Sequence, residues 1–380
     1  MIVRTFHPVG QGAFYSERNN DFNIVYDCGT NSYATTKSVV ELAFQNEKID
    51  TLFISHFDFD HISMIPVLVD SVESIRLVVI PLLDNQQRNL LINFMHNLSD
   101  ELKQLITNPK AFFGSNTTVI EVRPASGFNE DNNQEPRDID ELIDSAESNS
   151  GTIKIDSGTP LIIGNRSNLK SRNSVEWVLV PYNYEDKIRQ AVLLDKLEKE
   201  GFDLDRLKND PSYVLDSLND HSTWTVLKSI YNQLKGKINQ NSMLLYSGPS
   251  FIKDKKEFCF CDCIPIDPFY HYMLCHTCIH KSGCIYTGDC DFNNFKLKDV
   301  YPSYVEYVGI IQVPHHGAVK NFDLKAFEGF EKVICPISHG TKNKHPDAEV
   351  VKELIINGFK VVSVNEKEDS KFQQRIFSCA

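Results

Sequence analysis

Short apolar runs closed by Gly, Asp or His recur along this chain and set its expected elements. In the N-terminal third, IVRTFHPVG, FNIVYDCG and TLFISH read as strands, because short apolar and β-branched runs bounded by turn formers favour the extended state. The spacing predicts a helix over Thr36 to Gln45, another beginning near Ile62, and a buried strand over IRLVVIPLL. Leu91, Phe94, Leu98, Leu102 and Leu105 recur at helical spacing across Leu90 to Ile106 and form a core-facing stripe. GTPLIIGN and VEWVLVPYN follow as strands. From Asp186 to Gly236 the pattern changes to helical, with Ile188, Val192 and Leu197 on one face. SMLLYSG and GCIYTGD resume the strands. The C-terminal part is regular α/β: VGIIQVPHHG, a helix near Leu324 to Phe330, KVICPISHG, a helix from Ala348 to Asn357 stopped by Gly358, and FKVVSV.

With 380 residues and 41% hydrophobic content, the chain can bury a large core. It reads as a single α/β domain over residues 1–380 with three insertions: an acidic loop at 126–150, a helical segment at 184–238 and a Cys-rich ribbon at 250–282. No apolar run approaches the ~18 residues of a membrane span, and MIVRTFHPVGQG lacks the regions of a signal peptide. A cytoplasmic protein without a membrane partner is the expectation. The formal charge of −12 argues against a broad basic surface for long nucleic acid. Part of that charge is local, since between Ser126 and Ser150 eight acids face only Arg137; the stretch reads as solvated.

The chemistry concentrates in TLFISHFDFDHISM. His56, Asp58, Asp60 and His61 follow directly on an apolar strand, where a rigid scaffold commonly presents a site. Alternate residues His56, Asp58 and Asp60 can project to one side of an extended segment, and His61 can turn to a second point nearby. One peptide can thus serve two cations. Mixed imidazole and carboxylate ligands suit zinc, manganese or iron, and two such ions can activate one hydroxide between them.

The same grammar recurs three times. IYTGD ends in Asp289, VPHHG carries His315 and His316, and PISHG ends in His339 with His345 shortly after. In an open α/β sheet the strand ends gather along one edge, so these residues can meet. A carboxylate such as Asp289 can bridge two cations while the histidines complete each shell.

In this order the motifs resemble the metallo-β-lactamase fold hydrolases, and within them the metallohydrolase domain of the bacterial DNA-uptake channel. The matching pieces are FHPVGQG with IVYDCG, SHFDFDH, NSMLLYSG, IYTGDCD, VPHHG, and SHGTKNKHP with VVSV. The resemblance implies a four-layer αββα sandwich with two divalent ions, zinc or manganese, at one edge of the paired sheets. Carried over, His56, Asp58, Asp60 and His61 match the main metal motif, Asp289 the bridging carboxylate, and Asp27 an aspartate behind the site. His315 and His345 match histidines of the HisHisGly and HisPro motifs, and His339 falls where other branches place their last histidine ligand. Two departures stand out. Aspartate replaces histidine at Asp58, which makes the site harder and favours manganese beside zinc. A histidine that many members supply between the main motif and the bridging aspartate is absent, its neighbourhood here being Asn239, Asn241 and Ser242.

Seven of the ten cysteines lie between Cys259 and Cys290. Cys275 and Cys278 form a Cys-x-x-Cys pair that two of Cys259, Cys261 and Cys263 can complete; Cys261, Cys263, Cys275 and Cys278 are the candidate ligands of a structural zinc. The reaction expected is hydrolysis by a metal-held hydroxide, with Asp60 central and His316 free to protonate the leaving group. A phosphodiesterase or nuclease acting on a nucleotide or nucleic-acid substrate is the first reading. The alternatives are a metal-binding component of a larger assembly, with the insertions as protein-docking surfaces, and an ester or lactone hydrolase.

Overall fold

The computed structural model describes residues 1–19, 22–83, 88, 98–125, 134–147, 152–163, 177–184, 192, 195–209, 223, 225–226, 229–230, 242–250, 259–261 and 281–379. Cys263, Cys275, Cys278 and most of the helical insertion lie outside these residues. Of Cys261 only the backbone is described, so the candidate zinc ribbon is not visible.

The described strands are β1 (Ile2–Phe6), β2 (Phe14–Arg18), β3 (Asn23–Cys28), β4 (Lys48–Phe53), β5 (Ser74–Pro81), β6 (Thr118–Arg123), β7 (Arg137–Asp138), β8 (Thr152–Asp156), β9 (Leu161–Ile162), β10 (Trp177–Asn183), β11 (Met243–Pro249), β12 (Cys259–Cys261), β13 (Gly283–Tyr286), β14 (Val308–Ile311), β15 (Ile334–Ser338), β16 (Lys360–Val364) and β17 (Phe372–Cys379). They form a nine-stranded sheet in the order β12-β17-β1-β2-β3-β4-β5-β6-β8 and an eight-stranded sheet in the order β16-β15-β14-β13-β11-β10-β9-β7. Each sheet is antiparallel in one part and parallel in another: β3 to β6 and β8 run parallel in the first, β13 to β16 in the second.

Strand periodicity explains the layering. Successive side chains point to opposite faces, so Leu77 and Val79 of β5 enter a core shared by both sheets while Val78 and Ile80 enter a second core beneath helices. In β10, Trp177 and Leu179 join the shared core, and Val178 and Val180 a third one on the far side. The helices Tyr33–Ala43, Ile65–Ser71 and Asp100–Thr107 cover the first sheet through Val40, Leu68, Leu102 and Leu105. Leu297–Val300 and Ala348–Ile356 cover the second through Leu297, Val350 and Leu354. Strands buried on both faces read as continuous apolar runs, as LVVI does. Each fully buried Val, Leu or Ile stabilises the fold by about 1.5–3 kcal/mol.

A buried polar staple crosses the shared core. Arg4 Nε donates to Glu17 Oε1 at 2.8 Å, and its Nη atoms reach Ser282 O, Ser247 O and Gln374 Oε1. Ser247 and Tyr286, from the opposite sheet, donate their hydroxyls to Glu17. The Arg4 guanidinium and the Glu17 carboxylate are therefore both paired, as burial of a charge requires.

Three local expectations change. The helix expected near Ile62 is split into Phe59–Ile62 and Ile65–Ser71, because Pro66 in the first turn cannot donate an N–H and the Ser63 hydroxyl instead bonds both backbone groups of Thr30. The helix near Leu324 is a short 3-10 turn, Leu324–Phe327, capped by the Asp323 side chain. The described half of the acidic stretch is not a solvated loop: Ile139–Glu147 is a helix whose Ile139, Leu142 and Ala146 are buried, an apolar stripe hidden among the acids.

Candidate metal centre

The centre forms where β4, β13 and β14 end. Beyond Phe53 no regular element follows until Asp58, which is extended, with φ −67° and ψ 148°, and stands at the start of the single turn Phe59–Ile62. His56 and Asp58 thus precede the turn, whereas Asp60 and His61 leave it. Cys28 and Gly29 pass directly behind that turn. A Cβ at Gly29 would lie 2.5 Å from the carbonyl carbons of Asp60 and His61, so only glycine admits this approach.

Opposite them, Asp289 follows Gly288, whose φ is +54°. His315 and His316 both take left-handed backbone, φ 49° and 56°, at a cost of roughly 1–2 kcal/mol each for residues with a Cβ. This local strain aims the two rings at different carboxylates. His315 Nδ1 lies 3.2 Å from Asp289 Oδ2, and His316 Nε2 lies 3.2 Å from Asp60 Oδ2.

Two groups of potential ligand atoms result, His56 with His61 and Asp289, and Asp60 with His61 and His316; within each, the atoms lie within 4.8 Å of one another. Asp58 Oδ2 stands 3.6 Å from His56 Nε2 at the edge of the first group. His339 and His345 join neither. His339 turns Nε2 to Ser363 Oγ at 2.6 Å, and His345 Nδ1 lies 3.2 Å from Asp347 Oδ2.

Residues behind the centre orient its rings. Asp27, fully buried and itself at φ 54°, accepts the Ser55 N–H on Oδ1 at 2.7 Å; its Oδ2 accepts the Ser55 hydroxyl at 2.7 Å and lies 2.8 Å from His61 Nδ1. Since the only proton of the Ser55 hydroxyl goes to Asp27, its oxygen accepts from His56 Nδ1, 2.8 Å away. His316 Nδ1 donates to Ser338 O at 2.8 Å. All three rings therefore keep Nδ1–H and turn Nε2 to the centre, as second-shell partners of metal-binding histidines do. Ser242, in the neighbourhood where the resemblance implies a missing histidine, stands behind His56 at 3.1 Å from Nδ1 and accepts the Asp289 N–H at 3.0 Å. Sequence reading missed Ser55 and Ser242 as supports, although each lies within a quoted motif.

The electrostatics are those of buried carboxylates balanced by protonated imidazoles. Burial opposes charge on His61, but Asp289 and Asp27 outweigh it and raise its pKa well above the usual imidazole value. His316 is raised against the same burial by its bond to Asp60 and by the charge of Asp289. Burial pushes Asp60 and Asp289 upward, yet His316 and His61 hold the first below the ordinary carboxylate range, and His315 and His61 the second.

The residues fit a cation by a direct test. His56 Nε2 and Asp289 Oδ2 are buried, 3.9 Å apart and without a hydrogen-bond partner. An unsatisfied imidazole lone pair facing an unsatisfied carboxylate oxygen is costly unless something positive sits between them.

Comparison with known proteins bears on this segment. Residues 9–73 match the model of the Metallo-beta-lactamase superfamily, a span that holds Asp27 and the whole His56 to His61 run. No curated protein matches. Among solved structures, the metallo-beta-lactamase fold protein YhfI from Bacillus subtilis aligns over 100% of this chain and 99% of its own at 9% identity, TM-score 0.37. Human tRNase Z, short form, aligns over 100% and 99% at 8% identity, TM-score 0.39. Among the described residues no helix is long and apolar enough to cross a membrane.

Proposed function

We propose that this protein is a metal-dependent hydrolase that cleaves a phosphodiester of a nucleotide or nucleic-acid substrate. The observation that carries the reading is the pair of buried atoms without a hydrogen bond, His56 Nε2 and Asp289 Oδ2, within a group of oriented histidines. His56, Asp58 and His315 would hold one divalent ion, Asp60, His61 and His316 the other, with Asp289 shared. When bound, such ions lower the pKa of water and polarise a scissile phosphoryl group. His316, expected from sequence as a proton donor, is better assigned as a ligand, because Nδ1 is fixed on Ser338 O and only Nε2 faces the centre.

The chain supplies orientation and charge. Asp27 and Ser55 keep the lone pairs of His61 and His56 aimed inward, and Ser242 holds the Asp289 backbone. A basic arch favours a phosphate over a neutral ester. Residues 339–346 contain no acid, and exposed Lys342 and Lys344 form no ion pair among the described residues. Both feet of the arch stand beside His316: Ser338 O takes its Nδ1–H, and the Asp347 N–H donates to Gly317 O at 3.0 Å. The nearby acids are already engaged, Glu366 by the Thr341 N–H at 3.0 Å and Asp347 by the Val319 N–H at 2.8 Å. On a chain of net charge −12, cations left free beside the site are suited to an anionic substrate.

Chromogenic phosphodiester and carboxylic-ester substrates, assayed in parallel with manganese, zinc and magnesium, test the reading. Phosphodiester turnover should predominate, and Asp60→Asn should lower it by at least about 100-fold. Undiminished turnover in that variant would overturn the mechanism, and preference for the ester would overturn the substrate class.

A further inference from the structure

One buried side chain outside the proposed ligand set connects two of the loops that carry it, the turn before Asp289 and the His315–His316 segment. Gln312 lies just beyond β14 and is 3% exposed. Its Oε1 accepts the Thr287 N–H at 2.8 Å and the Gly288 N–H at 3.1 Å. Its Nε2 donates to Gly288 O at 3.2 Å and to Val313 O at 3.4 Å. The two N–H donors fix which end of the amide faces them. Gly288 O also accepts the His315 N–H at 3.2 Å. The amide thus grips the turn before Asp289 from both sides, and the same carbonyl anchors the left-handed His315–His316 pair.

Among the described residues, no other polar group holds that turn to β14 as fully. The Gln312 backbone adds the Thr287 hydroxyl at 2.9 Å and binds Ile285 O through its own N–H at 3.0 Å. Gly288 leaves no slack, since a Cβ there would stand 2.8 Å from Ser55 Oγ and 3.1 Å from Ser242 Cβ. A turn packed this closely against Ser55 and Ser242 transmits any shift to His56, which both serines contact.

We propose that Gln312 is a positioning residue of the metal centre: it fixes Asp289 and the His315–His316 loop in one register, and so sets the affinity for divalent ions. The inference rests on the metal-centre reading above. Supports of this kind change metal affinity by roughly 10–100-fold when removed.

Two variants separate positioning from scaffolding. Gln312→Met keeps the length and removes all four bonds, whereas Gln312→Glu keeps an acceptor for both N–H groups and loses the donor to Gly288 O. Calorimetric titration of metal-free protein with manganese and with zinc gives the affinity, and melting with and without metal gives the metal-dependent rise. The expected order of affinity is wild type, then Gln312→Glu, then Gln312→Met, the last weaker by about 10–100-fold. A purely structural role would lower the metal-free melting temperature and leave the affinity unchanged; that result overturns the proposal. If Gln312→Met does not fold, Gln312→Glu decides alone, and affinity equal to wild type refutes it. Wild-type protein that binds neither metal would overturn the metal-centre reading itself, a result distinct from equal affinities.

Discussion

Asp27→Asn is nearly isosteric, yet it should invert the protonation of two rings at once. Oδ1 receives the Ser55 N–H at 2.7 Å, so that position must remain an oxygen, and the new amide nitrogen faces Ser55 Oγ and His61 Nδ1. Both of its protons then point at atoms that in the wild type donate to Asp27. His61 must present a bare Nδ1 and carry its proton on Nε2. The Ser55 hydroxyl, now an acceptor from the amide, turns its own proton to His56 Nδ1, 2.8 Å away, and moves that ring's proton to Nε2 as well. Two ligand lone pairs are lost from the centre by one change of O to NH2.

The magnitude follows from that count. Loss of one such support lowers metal affinity by roughly 10–100-fold, or about 1.4–2.8 kcal/mol. Because both proposed ion positions depend on Asp27, the upper end is expected and both binding events should weaken. Ser55→Ala cuts only the branch to His56, so a smaller loss, confined to one event, is expected. Calorimetric titration with zinc and manganese, with circular dichroism as the folding check, reads both. A folded Asp27→Asn protein that binds both ions within threefold of wild type would refute the tautomer argument.

Other outcomes follow from the same geometry. The double substitution Lys342→Ala, Lys344→Ala should raise KM for a phosphodiester several-fold, flatten its salt dependence and leave a neutral ester unaffected, as measured by kinetics across ionic strength. Since His61 and His316 have raised pKa values in the metal-free protein, metal must displace their protons: affinity should climb with pH, and titration in buffers of different ionisation enthalpy should show release of about two protons. The same shifts fix the sign for stability. Their contribution to the metal-free fold is complete below the unfolded imidazole value of about 6.5 and is lost as pH rises through the raised values, so metal-free protein should melt lower at alkaline pH. Arg4→Met leaves Glu17 charged and buried against Ser247 and Tyr286, which should destabilise by about 3–5 kcal/mol in urea unfolding.

Legibility in the sequence followed physical distinctness. Strands buried on both faces, such as IRLVVIPLL and VEWVLVPYN, stand out because each carries a single charged residue, Arg76 or Glu176, near its start and then runs on apolar, and they form β5 and β10. β2, β6, β8 and β17 went unread, because FYSER, TVIEVR, TIKID and FQQRIFSC carry charged or amide residues that break the apolar run, and only sheet pairing reveals them as strand. The main candidate site was visible as donor atoms: His56, Asp58, Asp60, His61, Asp289 and the His315–His316 pair gather at one edge. The roles within it were not. Spacing cannot tell that two adjacent histidines both turn inward, each to a different carboxylate, and that depends on left-handed backbone at residues 315 and 316 and on Ser338 O. Nor could spacing exclude His339, whose ring is captured by Ser363 on the neighbouring strand.

Position at the seam gives the centre a role in the fold as well as in chemistry. Its carboxylates and rings come from both sheets: His56 to His61 follow β4 of the first, while Asp289 and His315 to His316 follow β13 and β14 of the second. Asp27, Asp60 and Asp289 are buried close together, and in the metal-free state protons on His61 and His316 offset their repulsion. That compensation is incomplete at His56 Nε2 and Asp289 Oδ2, which make no hydrogen bond, although His315 Nδ1 lies 3.2 Å from the carboxylate oxygen. A divalent ion at each proposed position would replace a single proton by two charges and link the two sheets through ligands from each. Metal should therefore stabilise the seam most where protons stabilise it least, above neutral pH, and the metal-dependent rise in melting temperature should widen as pH increases.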